Sequence, residues 1–461
     1  MFGQLLAPGA LFQTGLLLLG AIVLLLTLAK IESAQDRHIA GRVLVWITVL
    51  ASVLPVTLDE LTRGRPADSA ASPLDDQLGP LGAGVSRGLQ VALVIVAMMA
   101  IREAVRHGLR GASGLYWLFL LAWFATLLSA INSAWSPKLL GWLMPLIVLA
   151  LFAAARAGAP LLAELRRVVL AIVFVSLTMY VLVPSMATLS ATRSSGAVDA
   201  RLAGVFSQPN GMGAVAAVAL ILTLATTVGV YRTVTAAVAI VALVLADSRT
   251  ALVAVAICVP VILAAPRLST VKGSDQVRRL SVAACSLMGG FLLVQNLVSQ
   301  STDVASLNGR TLVWDYVIQE WHTQPLLGAG PDGWTGARML ADVPLYAGQA
   351  HNQFFETLFL YGVVGLVGLG LLVGASLVGA LRMWRMQSPV PLGLLVCLLV
   401  TGFSESPFKF DIAGLSAEGA IGLVAIAVLQ GPRRRTSADA DTCADALTDA
   451  WVEGPARAVH S

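Results

Sequence analysis

The sequence predicts an all-α fold: a polytopic membrane helix bundle of about 12–13 transmembrane helices, with one large non-cytoplasmic loop that contains short helices. Hydrophobic residues make up 57% of the 461 residues, charged residues make up 12%, and the mean hydropathy is +0.81. Ordinary soluble domains are far less apolar and more charged than this. Apolar runs also recur along the whole chain, and most Lys and Arg residues fall in alternate loops between them.

The apolar runs are long enough, or nearly long enough, to cross a hydrocarbon layer of about 30 Å as helices. Runs shorter than about 20 residues must tilt or pack their ends against neighbours. The first run has no charged residue before it and further spans after it, so we interpret it as a membrane helix rather than a cleaved signal peptide. In order, the runs cover 11–29, 43–58, 88–101, 115–131, 139–155, 168–184, 211–230, 233–246, 250–265, 280–298, 354–381, 390–403 and 412–430.

The basic residues predict the orientation, because cytoplasmic loops retain Lys and Arg. One alternate set of loops, together with the C-terminal tail, holds most of the 30 basic residues. We therefore expect the C-terminus to be cytoplasmic and, with an odd number of spans, the N-terminus to be outside. The residues of this set are Lys30, Arg37, Arg42, Arg102, Arg106, Arg110, Arg156, Arg166, Arg167, Arg232, Arg267, Lys272, Arg278, Arg279, Arg382, Arg385, Arg433, Arg434, Arg435 and Arg457.

The chain divides by composition into five parts. No pair among the four cysteines suggests a disulfide framework or a metal site, and the polar C-terminal residues are typical of a disordered tail. The predicted parts are N-terminal transmembrane helices at 1–200, transmembrane helices with arginine motifs at 201–298, a large exported loop at 299–353, C-terminal transmembrane helices at 354–430 and a cytoplasmic tail at 431–461.

The positive-inside rule does not explain the basic residues that are predicted to lie on the exported side. Arg249 is one of them. It lies in the turn DSRT between two short apolar runs, so the turn is predicted to lie in a recess below the outer headgroups. Asp247 is two positions away and would not face Arg249 on a continuous helix. An Arg at this depth is a functional candidate by default, although it could instead reach up to lipid phosphates.

A second arginine, Arg201, precedes the segment PNGMG. Pro209 and Asn210 predict a helix start, where backbone N–H groups and the positive end of the helix dipole favour an anion. Taken alone, the pattern fits equally well an ordinary turn with one Arg that reaches the interface.

The exported segment 299–353 begins with NGRTLVWDYVIQEW, in which Asn308 is a predicted cap. Apolar residues then recur at helical spacing, including Val317 and Trp321, which predicts an amphipathic helix that begins near Arg310. Its aromatic residues fit packing better than a sugar-binding platform. The following PLLGAGPDGW is a glycine-rich turn with no dinucleotide-binding pattern.

The next segment is HNQFFETLFLYGVVGLVGLGLLVG. It places His351 and Asn352 at the outer mouth of a span and Glu356 about one turn deeper. A single histidine at an interface usually has no special role, but a neutral imidazole can act as a general base. Gly370 and Gly374 form a GxxxG pair that predicts close helix packing.

The order of these motifs resembles the O-antigen ligase and polysaccharide polymerase superfamily of GT-C-type membrane glycosyltransferases. The resemblance covers about 200–380. It consists of an Arg before a PN-bearing span, an SRT between two short spans, a loop that opens with GR and W and closes with PLLGAG, and HNxxxExLxxxGxxG at the next span.

The resemblance implies transfer of a glycan from a polyprenyl (undecaprenyl-type) pyrophosphate carrier to an acceptor hydroxyl, on the non-cytoplasmic side of a bacterial cytoplasmic (inner) membrane. The implied partners are this donor, a glycan or lipid-glycan acceptor and the lipid bilayer, with no nucleic acid. It also implies catalytic roles for Arg201, Arg249 and His351. The substrate-binding residues that we predict are Arg310, Asn210, Asn352, Glu356 and Asp247.

We predict no cofactor and no metal, because the only DxD motif, Asp439 to Asp441, lies in the predicted cytoplasmic tail. Arg suits the leaving pyrophosphate because its planar guanidinium binds phosphate through two hydrogen bonds. The alternatives are a flippase or transporter for lipid-linked oligosaccharide, and a nonenzymatic membrane scaffold. Ligase and polymerase share the same chemistry and differ in the acceptor, so both stay open.

Overall fold

The all-α prediction is confirmed by the computed structural model. It describes residues 38–63, 78–106, 113–133, 139–190, 200–227, 229–263, 310–334, 349–385, 388–403, 405–411 and 414–429. The predicted spans at 11–29 and 280–298, the cap at Asn308 and the tail 431–461 lie outside these residues.

The described elements are thirteen helices and two small antiparallel ribbons. The helices are α1 (Ile39–Arg63), α2 (Pro80–Arg106), α3 (Gly114–Asn132), α4 (Leu139–Arg156), α5 (Leu161–Leu182), α6 (Pro184–Ala187), α7 (Pro209–Thr226), α8 (Gly229–Ala246), α9 (Arg249–Leu263), α10 (Arg310–Thr323), α11 (Gln353–Arg385), α12 (Val390–Thr401) and α13 (Ala417–Val428). The strands are β1 (Thr188–Ser190), β2 (Ala200–Leu202), β3 (Phe410–Asp411) and β4 (Gly414–Leu415).

Each predicted span within the described residues coincides with a helix. Seven of these helices are long and apolar enough to cross a membrane: α1, α2, α3, α5, α7, α8 and α11. Four further apolar helices in the described part of the chain, α4, α9, α12 and α13, are shorter and depend on packing against the others. The protein is therefore a polytopic helical membrane protein.

The ribbons are the features that hydropathy did not predict. β1 and β2 pair antiparallel, with Leu189 opposite Arg201, so Arg201 lies on a strand rather than in a turn. β3 and β4 pair between α12 and α13. For this reason the predicted run 412–430 becomes helical only at Ala417, where the Ser416 hydroxyl accepts the Gly419 N–H at 2.9 Å.

Helix α7 lies at the centre of the bundle. Nearly all of its residues from Met212 to Thr223 are buried, and α5, α8, α9, α12 and α13 all contact it. A helix that is apolar on every face is stable only when other helices surround it. Its 18 residues span about 27 Å, so its two ends mark opposite ends of the bundle.

The longest helix, α11, is interrupted at Gly362. Beyond this break, Gly368 lets α11 approach α3, because a Cβ there would lie 2.9 Å from the Cα of Ala122. The prediction that Gly370 and Gly374 form a packing face is wrong for the described part of the chain. A Cβ at either position would meet nothing within 4 Å.

The amphipathic helix predicted after Asn308 is confirmed as α10. Its buried face carries Val313 and Val317, which pack with Phe359 and Trp334. Trp314 stacks on Phe355 with ring centroids 5.3 Å apart. The aromatic residues of this helix therefore pack against α11 and the segment before it.

Candidate active site

Residues from six parts of the fold meet at the N-terminal end of α7. They come from β2, the start of α7, the α8–α9 turn, the start of α10, the segment before α11 and the loop after α12. The described residues of this cluster are Arg201, Asn210, Asp247, Arg249, Arg310, Gln349, His351 and Glu405.

Arg201 binds the C-terminal end of α8. Its Nε donates to Ala246 O at 3.1 Å, and its Nη2 donates to Asp247 O at 2.9 Å and to Asn210 Oδ1 at 3.0 Å. The backbone carbonyls of Ala246 and Asp247 are among those that a helix C-terminus leaves unsatisfied. The negative end of the helix dipole favours a cation at the same place. The remaining nitrogen, Nη1, has no hydrogen bond within the described part of the chain.

The charges near Arg201 are close enough to act on its pKa. Burial lowers the pKa of Arg201, the charge of Asp247 raises it, and the charges of Arg249 and Arg310 lower it. The side chain stays a cation at any working pH, because the ordinary pKa of Arg lies far above neutrality. Three arginines that are far apart in the sequence therefore form one positively charged region.

The α8–α9 turn approaches α7 closely. Asp247, between α8 and α9, has a φ of 45°, in the left-handed region, and Arg249, which begins α9, is exposed. A Cβ at Gly213 would lie 2.4 Å from the Cβ of Ser248. The second glycine of PNGMG thus leaves the room that the DSR turn needs.

Glu405 is the residue that links the cluster, and the sequence analysis did not identify it. Its Oε1 accepts Asn210 Nδ2 at 2.6 Å and lies 3.4 Å from Arg310 Nη2, while its Oε2 lies 3.4 Å from His351 Nδ1. Burial alone would raise the pKa of Glu405. The hydrogen bond and charge of His351, with Arg310 and Asn210, outweigh that effect and hold the pKa below its ordinary value.

His351 lies at the edge of this cluster in a constrained backbone position, with a φ of 49°. The amide nitrogen of Gln349 is 3.2 Å from His351 Nδ1 and 3.4 Å from Glu405 Oε2. If Nδ1 carries the proton, it donates to Glu405 and leaves Nε2 as the basic nitrogen. If Nε2 carries it, Nδ1 accepts from Gln349 instead.

Residues 214–370 match the family model described as O-antigen ligase. The match covers about a third of the chain. No curated protein matches the chain. The matched O-antigen ligase segment includes Arg249, Arg310 and His351, whereas Arg201 and Glu405 lie outside it. Three residues of the cluster, Arg201, Asn210 and Glu405, therefore lie outside the family match.

Two further predicted site residues, Asn352 and Glu356, hold the backbone around His351. Asn352 caps α11, because its Oδ1 accepts the N–H groups of Phe354 at 2.9 Å and Phe355 at 3.2 Å. Glu356 Oε2 accepts the Ala350 N–H at 2.6 Å. Their predicted contacts with substrate remain predictions.

Metal independence also remains a prediction. Among the residues that the structure describes, no three His, Cys, Asp or Glu side chains are close enough together to hold a metal ion. The cations that lie near one another at the N-terminal end of α7 are the side chains of Arg201, Arg249 and Arg310.

Proposed function

We propose that this protein is a glycosyltransferase that moves a glycan from a polyprenyl pyrophosphate carrier to an acceptor hydroxyl on the non-cytoplasmic face of a bacterial cytoplasmic membrane. It would act as an O-antigen ligase or as a surface-polysaccharide polymerase. The proposal rests on one observation. At one end of α7 lie Arg201, Arg249, Arg310 and His351.

The opposite end of α7 supports the proposed side of the membrane. There Arg166 Nη1 donates to the carbonyl oxygen of Thr226 at 3.0 Å and to its hydroxyl at 2.8 Å. Arg166 belongs to the loops that the positive-inside rule assigns to the cytoplasm. Asn210, at the other end of this helix, lies in the candidate site, so the site faces away from the cytoplasm under this orientation.

The proposed reaction is a displacement at the anomeric carbon of the donor sugar. The acceptor hydroxyl oxygen forms the new glycosidic bond, the bond from the anomeric carbon to the pyrophosphate oxygen breaks, and that oxygen keeps the bonding electrons. Arg201, Arg249 and Arg310 stabilise the negative charge that develops there, and one such preorganised donor is typically worth about 3 kcal/mol. His351 accepts the proton of the acceptor hydroxyl.

Glu405 supports His351 in this proposal. A carboxylate that accepts the Nδ1–H of an imidazole selects the tautomer in which Nε2 is basic, and it stabilises the imidazolium that forms. The 3.4 Å contact between Glu405 Oε2 and His351 Nδ1 is long for a hydrogen bond. Such contacts often shorten only when the substrate is bound.

The direct test supplies purified protein in lipid nanodiscs with lipid-linked repeat units. Formation of a glycan ladder from the donor alone indicates a polymerase, and product that forms only with added acceptor indicates a ligase. We expect the same activity in EDTA. Movement of the lipid-linked sugar across a bilayer without glycan transfer would instead identify a flippase. If the protein shows neither transfer nor movement, the scaffold alternative is favoured.

A further inference from the structure

The break in α11 lies just before the part of the helix that crosses the membrane. Gly362 has a φ of 61° and a ψ of −162°, far from helical values. Residues 363–385 rise about 34 Å at 1.5 Å per residue, which is enough to cross a hydrocarbon layer of about 30 Å. Residues 353–361 therefore form an extension beyond the span, with a direction of their own.

The backbone of residues 325–330, the PLLGAG segment, occupies the break. In an unbroken helix the N–H groups of residues 363 and 364 would bond within α11. Here Val363 N–H donates to Pro325 O at 3.0 Å, and Val364 N–H donates to Leu326 O at 3.2 Å.

The carbonyls that these N–H groups would have bonded are satisfied by the same segment. Phe359 O accepts the Ala329 N–H at 2.8 Å, and Leu360 O accepts the Gly330 N–H at 3.0 Å. The Ser129 hydroxyl of α3 also donates to Leu360 O at 2.7 Å. Each lost helical bond is thus replaced by two bonds to the segment, which matters because an unsatisfied backbone group in an apolar setting is costly.

Glycine is required on both sides of this contact. A Cβ at Gly362 would lie 2.3 Å from Leu326 O, and a Cβ at Gly328 would lie 2.5 Å from Phe359 O. Both residues also have a positive φ, 61° and 70°, which other residues rarely adopt. A side chain at either position must separate the segment from the helix.

His351 lies two residues before the start of the extension. Glu356, in its first turn, accepts the Ala350 N–H at 2.6 Å and the Trp334 Nε1–H at 3.1 Å. Trp334 in turn packs on Phe359 with ring centroids 4.5 Å apart. The extension, the segment after α10 and the backbone next to His351 therefore form one connected unit.

We infer that Gly362 and residues 325–330 form a positioning joint, which sets the direction of residues 353–361 and so places His351 beside Glu405. The catalytic consequence rests on the proposed function. Of the three arginines proposed to act on the donor pyrophosphate, Arg201 and Arg249 lie on other elements, whereas Arg310 begins α10, which packs on Phe359. Loss of the joint therefore displaces the imidazole while two of the three arginines keep their positions, so donor binding is largely retained.

The test compares Gly362→Ala with Gly370→Ala and Gly374→Ala, two control positions on α11 where a Cβ would meet nothing within 4 Å. We expect Gly362→Ala to lower kcat at least about tenfold while the KM for the lipid-linked donor changes by less than about twofold. Both controls keep the wild-type kcat and KM.

A distance measurement tests the joint without enzymatic activity. Spin labels at Phe354→Cys and Val367→Cys, two exposed positions on either side of the break, are introduced in a chain whose four natural cysteines are replaced. We expect Gly362→Ala to shift or broaden the distance distribution, and the two controls to leave it unchanged. An unchanged distribution in Gly362→Ala overturns the joint.

The kinetic outcomes separate the inference from the proposed function. A shifted distance with wild-type kcat, or a donor KM that rises as steeply as kcat falls, overturns the positioning role. If the wild-type chain transfers no glycan, the proposed function fails, while the distance measurement still decides whether the joint exists.

A milder variant covers the case in which Gly362→Ala does not fold. Ser129→Ala removes only the hydroxyl that donates to Leu360 O, and we expect a two- to fivefold lower kcat with unchanged donor KM. The matched control is Ser52→Ala, because the Ser52 hydroxyl bonds to Val49 O within its own helix. Equal kcat for the two variants overturns the inference.

Discussion

Two glutamates near opposite ends of α7 are surrounded by cations in different ways. Glu164 has a side chain that is 4% exposed, and it accepts Arg42 Nε at 2.7 Å, Trp46 Nε1 at 3.0 Å and Arg167 Nη1. Glu405 has a side chain that is 16% exposed. Only its bond from Asn210 is short, at 2.6 Å, whereas Arg310 and His351 lie 3.4 Å away.

The difference separates a structural cluster from a candidate site. Charge-assisted hydrogen bonds of about 2.7–2.9 Å are strong, so the cations around Glu164 hold α1 and α5 together. Contacts of 3.4 Å are weak, and around Glu405 they come from groups on separate loops. Under the proposed function, an incoming diphosphate replaces the contact between Arg310 and Glu405 at low cost, because it offers the guanidinium better acceptors.

The largest effect is expected from removing two cations at the site end. The variant Arg201→Ala/Arg249→Ala should lower kcat/KM for glycan transfer by more than about a thousandfold, because each donor to a developing oxyanion contributes a factor of about 10²–10³. The control is Arg167→Ala beside Glu164, which we expect to transfer glycan within about twofold of wild type in the same assay. Equal losses of kcat/KM in the double variant and in Arg167→Ala would show that the two ends of α7 do not differ in function.

The next effect is expected from the imidazole. His351→Ala should lower kcat about a hundredfold with little change in donor KM, because general base catalysis typically contributes a factor of about 10²–10⁴. Steady-state kinetics with saturating acceptor measure this. His322→Ala, at the exposed end of α10, serves as the matched control. Wild-type turnover by His351→Ala would remove the imidazole from the proposed mechanism.

A smaller effect is expected from Glu405→Gln, which keeps a group that can accept the Asn210 bond but removes the charge beside His351. We expect kcat to fall about tenfold. Glu405→Ala should lose more, because Asn210 then also loses its acceptor. Glu405→Gln with full activity would restrict this carboxylate to a structural role.

The variant Glu405→Gln should also change how the Tm depends on pH. Because the pKa of Glu405 is held below its ordinary value, its charge stabilises the fold above the unfolded pKa of about 4.3. That contribution is lost as the pH falls through the folded pKa. The difference in Tm between wild type and Glu405→Gln should therefore shrink between about pH 6 and about pH 3. A difference that is constant over this range contradicts the assignment.

The smallest effect on activity is expected at the other end of α7. Glu164→Gln leaves Arg42 and Arg167 without their shared carboxylate, and we expect a loss of about 1–2 kcal/mol in stability. Their side chains are 36% and 50% exposed, so water compensates part of the loss. Thermal denaturation measures the effect. Transfer by the surviving folded protein should stay within about twofold of wild type, and a tenfold loss would argue against a purely structural cluster.

Much of the fold could be predicted from local patterns. A run of about 20 apolar residues can only satisfy its backbone in a membrane as a helix, and the eleven apolar helices in the described part of the chain coincide with predicted runs. The same reasoning selected Arg201, Arg249, Arg310 and His351 as residues on one side of the membrane. Their functional roles remain predictions.

The residues that link the site are a property of the packed bundle. Glu405 is 195 positions from Asn210 and 54 from His351, and it stands in a short loop with no motif. The only sequence signal for Glu405 was an acidic residue after a span, on the side of the membrane predicted for the arginines. Many solvated loops contain such a residue. The ribbons and the bond between Glu356 and Ala350 also depend on neighbours that hydropathy does not reveal.

Hydropathy and the distribution of charge, both local properties of the chain, were thus sufficient to predict the apolar helices and to select the cations that we expect on the exported side. The break at Gly362, the role of residues 325–330 in filling it and the carboxylate between Arg310 and His351 became visible only in the tertiary structure. The physical reason is that unsatisfied backbone groups and buried charges take whichever partners the packing of distant helices brings within hydrogen-bonding distance.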